Sequence, residues 1–288
     1  MRSKQEEEKE LKITFQSKKV YSCPVCDSSF NKEELLSGGG RLIAGQLTEE
    51  LHRLYEPSGK YGVIYPLIYQ SIVCPECWFA SMETDFPLLP QDKRGKARDE
   101  CQSRMQKTSL IFPDVDFKDS RNLMDGAASQ YLTLLCYDYY NKQTSPTIKQ
   151  GLASLRCAWL LDELHKKYPA QNYDWLGILF RKKAQYLYNE ALNREQSGKE
   201  TLSGMKAFGP DTDKNYSYEG MLYICAYLRY KFGPANDATQ RKTSLEEARR
   251  TIAKLFGMGK SSKDKPGAFL EHARTLYDTI NKEIAEST

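Results

Sequence analysis

Histidine is scarce in this chain: 288 residues hold three, His52, His165 and His272, and they are scattered. No His-Glu-x-x-His helix, no Gly-x-Ser-x-Gly elbow and no dinucleotide-binding glycine fingerprint is present, which removes the commonest hydrolase and oxidoreductase signatures. The one glycine run, Ser37-Gly38-Gly39-Gly40-Arg41, lacks the Lys-Ser/Thr ending of a phosphate-binding P-loop. It reads as a turn, with an anion-binding nest of backbone N–H groups around Arg41 as the sharper alternative. No apolar run approaches the ~18 residues of a membrane span, so no membrane insertion is expected. The N-terminus carries Glu6-Glu7-Glu8-Lys9-Glu10 with no apolar segment behind it, so no signal peptide is read and a cytoplasmic location is expected. Charge bias is also slight. Net charge is +4 and the pI about 8.5, short of the strongly basic balance that argues for nucleic acid on charge alone.

What is present in pattern is cysteine. Eight cysteines are too few for a disulfide scaffold in a chain of this length. Four of them form two Cys-Pro-x-Cys pairs, Cys23-Pro24-Val25-Cys26 and Cys74-Pro75-Glu76-Cys77. Thiolates two residues apart on one tight turn hold half of a tetrahedral site, and a second pair completes it. Cys23, Cys26, Cys74 and Cys77 are therefore expected to hold one Zn²⁺ in a structural role. A redox dithiol would need a single pair at a helix start in a thioredoxin-like setting, which is missing. An iron–sulfur cluster uses the same four ligands, and the proline-containing knuckles favour zinc over it. Cys101, Cys136, Cys157 and Cys225 are isolated and read as small buried hydrophobes in a reducing compartment.

Two regions follow from the pattern. Residues 1–18 form a charged extension that frays or makes a short helix. Residues 19–90 form a small zinc-ribbon-like β module, with Val20-Tyr21 leading into the first knuckle and Ile72-Val73 into the second. Within it, Leu47, Leu51 and Leu54 share a helical face over residues 47–55, with Thr48 as a cap, and the Tyr-, Ile- and Val-rich residues 61–73 predict strands. The long spacer between the knuckles, residues 27–73, is where a specific function is expected to sit. Residues 91–119 are charged, helical in pattern and broken by Pro113.

From residue 120 to 288 apolar residues recur at spacings of three and four, which predicts about six helices in antiparallel pairs. The stripes are Ile148/Leu152/Leu155/Trp159, Leu176/Phe180/Ala184/Leu187/Ala191, Met221/Cys225/Leu228/Phe232, Leu245/Ala248/Ile252/Leu255 and Phe269/Ala273/Leu276/Ile280/Ile284, with a weaker one at Ala128/Tyr131/Leu135/Tyr139. Ser244 and Glu247 have the spacing of a capping box, and Pro266-Gly267 punctuates the last pair. Small–large–small triplets such as Ala184/Tyr188/Ala191 echo tetratricopeptide repeats of about 34 residues, with an imperfect period. The fold class is thus mainly α: a small zinc-ribbon-like module followed by a tetratricopeptide-like helical array, with an irregular bundle as the alternative.

The two Cys-Pro-x-Cys knuckles, the tyrosine-rich stretch before the second, and Ala80 with Asp85-Phe86 after it resemble a bacterial family, domain of unknown function 2225. The resemblance implies a bacterial cytoplasmic protein with an N-terminal cysteine-pair module and a helical remainder; it implies no reaction. Where that family tends to place Gly-Tyr after the second pair, this chain has Trp78-Phe79.

No catalytic constellation emerges, and the chain is read as non-enzymatic. His52 is the one histidine inside the zinc module, and a partly exposed helix residue is its plain reading. Asp162 and Glu163 beside His165 read as a solvated helix face. The expected function is protein binding, as an adaptor holding another protein or peptide in a helical groove. The alternative is nucleic-acid binding through the zinc module, using Arg41, Arg53 and Lys60 with neighbouring tyrosines; Glu33, Glu34, Glu49, Glu50 and Glu56 dilute that charge. An enzyme with a site between the two regions ranks third. Many of the nineteen tyrosines fall on helices, where they fill grooves or anchor partners.

Overall fold

The computed structural model describes residues 12–205, 208–257 and 267–286. The acidic run Glu6–Glu10 and Pro266 lie outside the described residues. The chain is mainly helical, with small antiparallel strand pairs at its N-terminal end. Among the described residues no helix is long and apolar enough to cross a membrane.

Three two-stranded hairpins come first. β1 (Thr14–Ser22) pairs with β2 (Ser29–Leu35), and the first knuckle is their tip, where Ser22 faces Ser29. β5 (Ser71–Val73) pairs with β6 (Ala80–Met82), and the second knuckle is their tip, where Val73 faces Ala80. The strand–knuckle–strand repetition read from the sequence is therefore present. Its start is not where the composition placed it: β1 begins at Thr14, so residues 14–18 are strand rather than a helix or a frayed end.

Between these lies the hairpin of β3 (Ile43–Leu47) and β4 (Arg53–Glu56). It replaces the helix expected over residues 47–55. Thr48 does cap, but it caps a turn: its hydroxyl accepts from the His52 N–H at 3.1 Å, and Leu51 takes φ 58° at the turn's bend. Leu51 is fully buried from there, so one tertiary contact overrides the helical spacing of three leucines. Strands over residues 61–73 are likewise confined to β5, because Pro66 starts a short 3₁₀ turn, Pro66–Tyr69, ahead of it.

Eight helices follow among the described residues: α1 (Gln91–Asp99), α2 (Cys101–Ile111), α3 (Leu123–Cys136), α4 (Pro146–Lys167), α5 (Tyr173–Gln196), α6 (Ser217–Phe232), α7 (Ala238–Gly257) and α8 (Gly267–Glu286). From α3 onward each packs on the next. The weak stripe proves to be α3, opened by a full capping box of Asn122 and Asp125, except that Tyr139 falls in the 3₁₀ turn Tyr137–Tyr139 beyond its end. Its stripe is faint because the run Gly126-Ala127-Ala128-Ser129 is small, although the helix holds four leucines. A Cβ on Gly126 would lie 2.7 Å from Ile68 Cγ1 and 2.9 Å from its Cα, so α3 presses against the Pro66–Tyr69 turn. α4 is the central helix, buried between α3 and α5, and Ile148, Leu152, Leu155 and Trp159 all point into the core.

α7 starts earlier than the expected capping box. Asp237 caps it, accepting from the Gln240 N–H at 2.7 Å. Ser244 is instead buried inside the helix with its hydroxyl toward the Arg229 carbonyl at 3.4 Å, and Glu247 pairs with Arg229. The Ser-x-x-Glu spacing thus serves packing between α6 and α7.

Candidate metal centre

Each knuckle is built the same way. In the first, the Cys23 N–H donates to the Ser28 carbonyl at 2.9 Å and the Asp27 N–H to the Cys23 carbonyl at 3.0 Å. In the second, the Cys74 N–H donates to the Phe79 carbonyl at 2.9 Å and the Trp78 N–H to the Cys74 carbonyl at 2.9 Å. The residue after each second cysteine takes a left-handed backbone: Asp27 at φ 63° and Trp78 at φ 53°. That conformation favours glycine. Trp78 therefore stands where the resembled pattern has glycine, and its edge-to-face contact with Phe117, 5.4 Å between centroids, offsets the backbone cost.

The two tips bring all four cysteines together. Their sulfurs lie within 4.8 Å of one another, with Cys23–Cys77 and Cys26–Cys74 at 3.5 Å. A tetrahedron of thiolates around a metal at about 2.3 Å has sulfur–sulfur edges of roughly 3.8 Å, so the donor set and its spacing fit one metal ion. Cys23, Cys74 and Cys77 are buried and Cys26 is half-buried. Four thiols so placed cannot all ionise without a cation. The thiols of Cys23 and Cys77, then the Ser28 hydroxyl, donate toward Cys74 and hold it far below the ordinary thiol range, while Cys23 is pushed up by Cys74 and Cys77 by Cys23 and Cys74.

Positive charge lies alongside. Arg104, only 3 % exposed, donates to the Cys77 carbonyl at 2.6 Å and the Ala97 carbonyl at 3.0 Å. Arg98 donates to the Val25 carbonyl at 2.7 Å. A four-thiolate site with a divalent metal carries a formal charge near −2, and these guanidiniums offset it through the turn carbonyls. Helices α1 and α2 carry both arginines, so the charged segment after the knuckles is the wall of the site. Phe79 and Phe86 close the other side at 5.4 Å between centroids, and Tyr137 from the end of α3 packs beneath.

The isolated cysteines divide by place. Cys136 accepts from the Ala80 N–H at 3.4 Å, and Cys101 donates to the Cys77 carbonyl at 3.5 Å, so both sit beside the centre without joining it. Cys157 and Cys225 are buried among helices. Burial pushes the thiols of Cys136, Cys157 and Cys225 up, Cys136 to about 11, which keeps them protonated.

Of the residues considered for nucleic acid, Lys60 is exposed, and several others are engaged within the chain. Arg41 donates to the Gly38 carbonyl at 2.6 Å and to the Lys12 carbonyl, which leaves the glycine run a turn pinned by its own arginine. Arg53 pairs with Asp213 at 2.9 Å, Tyr65 donates to Glu163 at 3.2 Å, and Tyr69 is buried. His52 is away from the cysteines. It lies in the β3–β4 turn against Asp211, a partner 159 residues away that no local spacing reveals.

Three comparisons bear on relationship. The family model described as "Uncharacterized protein conserved in bacteria (DUF2225)" matches residues 16–280. A protein of Borreliella burgdorferi, described as "Uncharacterized protein", is 38% identical over 273 residues, covering 95% of this chain and 98% of its own. No solved structure matches. With nearly its whole length under that family model and a full-length relative sharing more than a third of its residues, the chain belongs to the bacterial family DUF2225.

Proposed function

We propose that the protein is a non-enzymatic, zinc-containing interaction protein working in the reducing bacterial cytoplasm. The zinc is structural: it locks two hairpin tips whose own core is too slight to hold them, and so fixes the module on the helical array. Successive helix packing is the order a tetratricopeptide-like scaffold requires.

The observation that carries the binding role is on α5. Its inner face is buried, yet Trp175, Ile178, Leu179 and Tyr186 form a second apolar stripe on the outside, with Trp175 and Tyr186 each 58 % exposed. Among the described tyrosines within α-helices, Tyr186 is the exposed one. Exposed Lys182 and Lys183 lie within the stripe. Aromatic anchors beside cations fit an amphipathic segment of another protein that carries carboxylates next to its apolar side.

The test is affinity capture from the native cell with the full chain, its Ile178→Asp variant and its Lys182→Glu/Lys183→Glu variant, each checked for folding by circular dichroism. The reading expects one acidic partner whose capture falls at least about tenfold in both variants. Equal capture by all three, or a stripe that pairs only with a second copy of this chain, overturns it.

A further inference from the structure

The β3–β4 hairpin leans on α4, and between them is a cavity of about 250 Å³. Its walls are mostly apolar: Leu54, Ile64, Pro66, Leu67 and Leu160, with Trp159 at the back. That size suits one small cyclic molecule and is below what a nucleotide needs.

One polar group in this wall is built with unusual care. His52 Nδ1 meets Asp211 Oδ2 at 2.5 Å, and that carboxylate's side chain is 1% exposed. Asp211 also accepts from the backbone N–H of Arg53 and of Thr212, each at 2.6 Å. Burial works to raise its pKa, but the His52 bond and these N–H groups outweigh it, so the carboxyl is lowered and ionised. With Asp211 as the partner of Nδ1, the tautomer that carries its proton on Nδ1 has Nε2 as its acceptor. The ring plane is fixed as well. It stacks on Trp159 at 4.3 Å and 12°, and the Trp159 indole N–H donates to Glu50 at 2.6 Å. Arg181 holds Glu50 at 2.8 and 2.9 Å and grips Asp162 with its other edge.

The charged groups around the cavity are already engaged. Arg53 pairs with Asp213, and Glu163 with Tyr65 and Lys166. Among the described residues the His52 ring makes its hydrogen bond through Nδ1, and the ring lines the cavity. A carboxylate-anchored, stacked imidazole is the arrangement that holds an acceptor ready for a ligand.

We propose that this cavity binds a small, flat, largely apolar molecule carrying one hydroxyl or N–H donor, with His52 Nε2 accepting that hydrogen and Trp159 and Leu67 walling its ring. The site is separate from the α5 stripe and does not depend on the adaptor reading.

The probes are 2-naphthol and naphthalene, which share a ring system and differ in the donor. Binding to the full chain is read by isothermal titration and by saturation-transfer NMR. The expected result is that 2-naphthol binds about fivefold tighter than naphthalene, the worth of one hydrogen bond. His52→Phe keeps a ring against Trp159 and is expected to erase that preference. Leu54→Trp, at the exposed mouth, leaves His52 and Asp211 in place and is expected to abolish binding of both probes. Equal binding of the two probes to the wild type, binding of neither, or full binding to Leu54→Trp overturns the proposal.

Discussion

Asp85 and Lys149 form a buried ion pair, 2.5 Å from Oδ2 to Nζ, with side chains 7% and 3% exposed. Asp85 follows the second knuckle and Lys149 opens α4, so this pair bolts the cysteine module to the central helix. Tyr137 joins it by donating to the same carboxylate at 2.6 Å, and the Tyr140 hydroxyl donates to the Asp85 carbonyl at 3.0 Å. Removing one partner strands a buried charge, which costs far more than the pair contributes. Asp85→Ala is expected to lower unfolding free energy by about 3–5 kcal/mol in urea titrations. Adding Lys149→Met removes the stranded charge and is expected to recover at least about 1 kcal/mol of that loss. Simple addition of the two losses would show that the pair is not coupled.

Gly126 reverses an ordinary rule. Glycine inside a helix usually costs about 1 kcal/mol relative to alanine. Here the added methyl would meet Ile68, including its backbone Cα at 2.9 Å. Gly126→Ala is expected to destabilise by about 1–3 kcal/mol, the cost of overpacking, and Gly95→Ala, where nothing lies within 4 Å, to stabilise. Urea midpoints of the two variants check the opposite signs.

Glu83 gives the module an acid-sensitive joint. It accepts from Lys32 at 2.8 Å, Tyr21 at 2.5 Å and Lys19 at 3.2 Å. Burial alone would raise its pKa, but these donors, Lys32 first, hold it down to about 2, below its usual 4.5. A carboxyl with a depressed folded pKa stabilises fully above the unfolded value and loses that contribution as pH falls from about 4.5 to about 2. Glu83→Gln is therefore expected to lower stability at neutral pH and to flatten the decline across that window, read from thermal midpoints against pH. An unchanged slope would remove Glu83 as its source.

The architecture was legible where spacing is local. The helical stripes of α4 to α8 and the paired knuckles follow from periodicity and from cysteine pairs two residues apart. Misreadings arose where a distant contact decides. Leu47, Leu51 and Leu54 look helical until Leu51 is buried by the turn it occupies, and Ser244 looks like a cap until Asp237 starts the helix earlier. α3 was faint because Gly126, Ala127 and Ala128 trade side-chain bulk for close approach. Asp211 and Lys149 were invisible as site residues, since their partners lie 159 and 64 positions away. Arg98 and Arg104 sit in a charged stretch whose composition says only that it is helical.

The central claim is one metal ion held by Cys23, Cys26, Cys74 and Cys77. Elemental analysis of the purified full chain, beside Cys23→Ser and Cys74→Ser, tests it most directly. The account expects about one zinc per chain, lost in both variants together with the fold of the module, because each variant breaks a different knuckle of the same site. Zinc retained in either variant, iron in place of zinc, or a folded wild type without metal would contradict it.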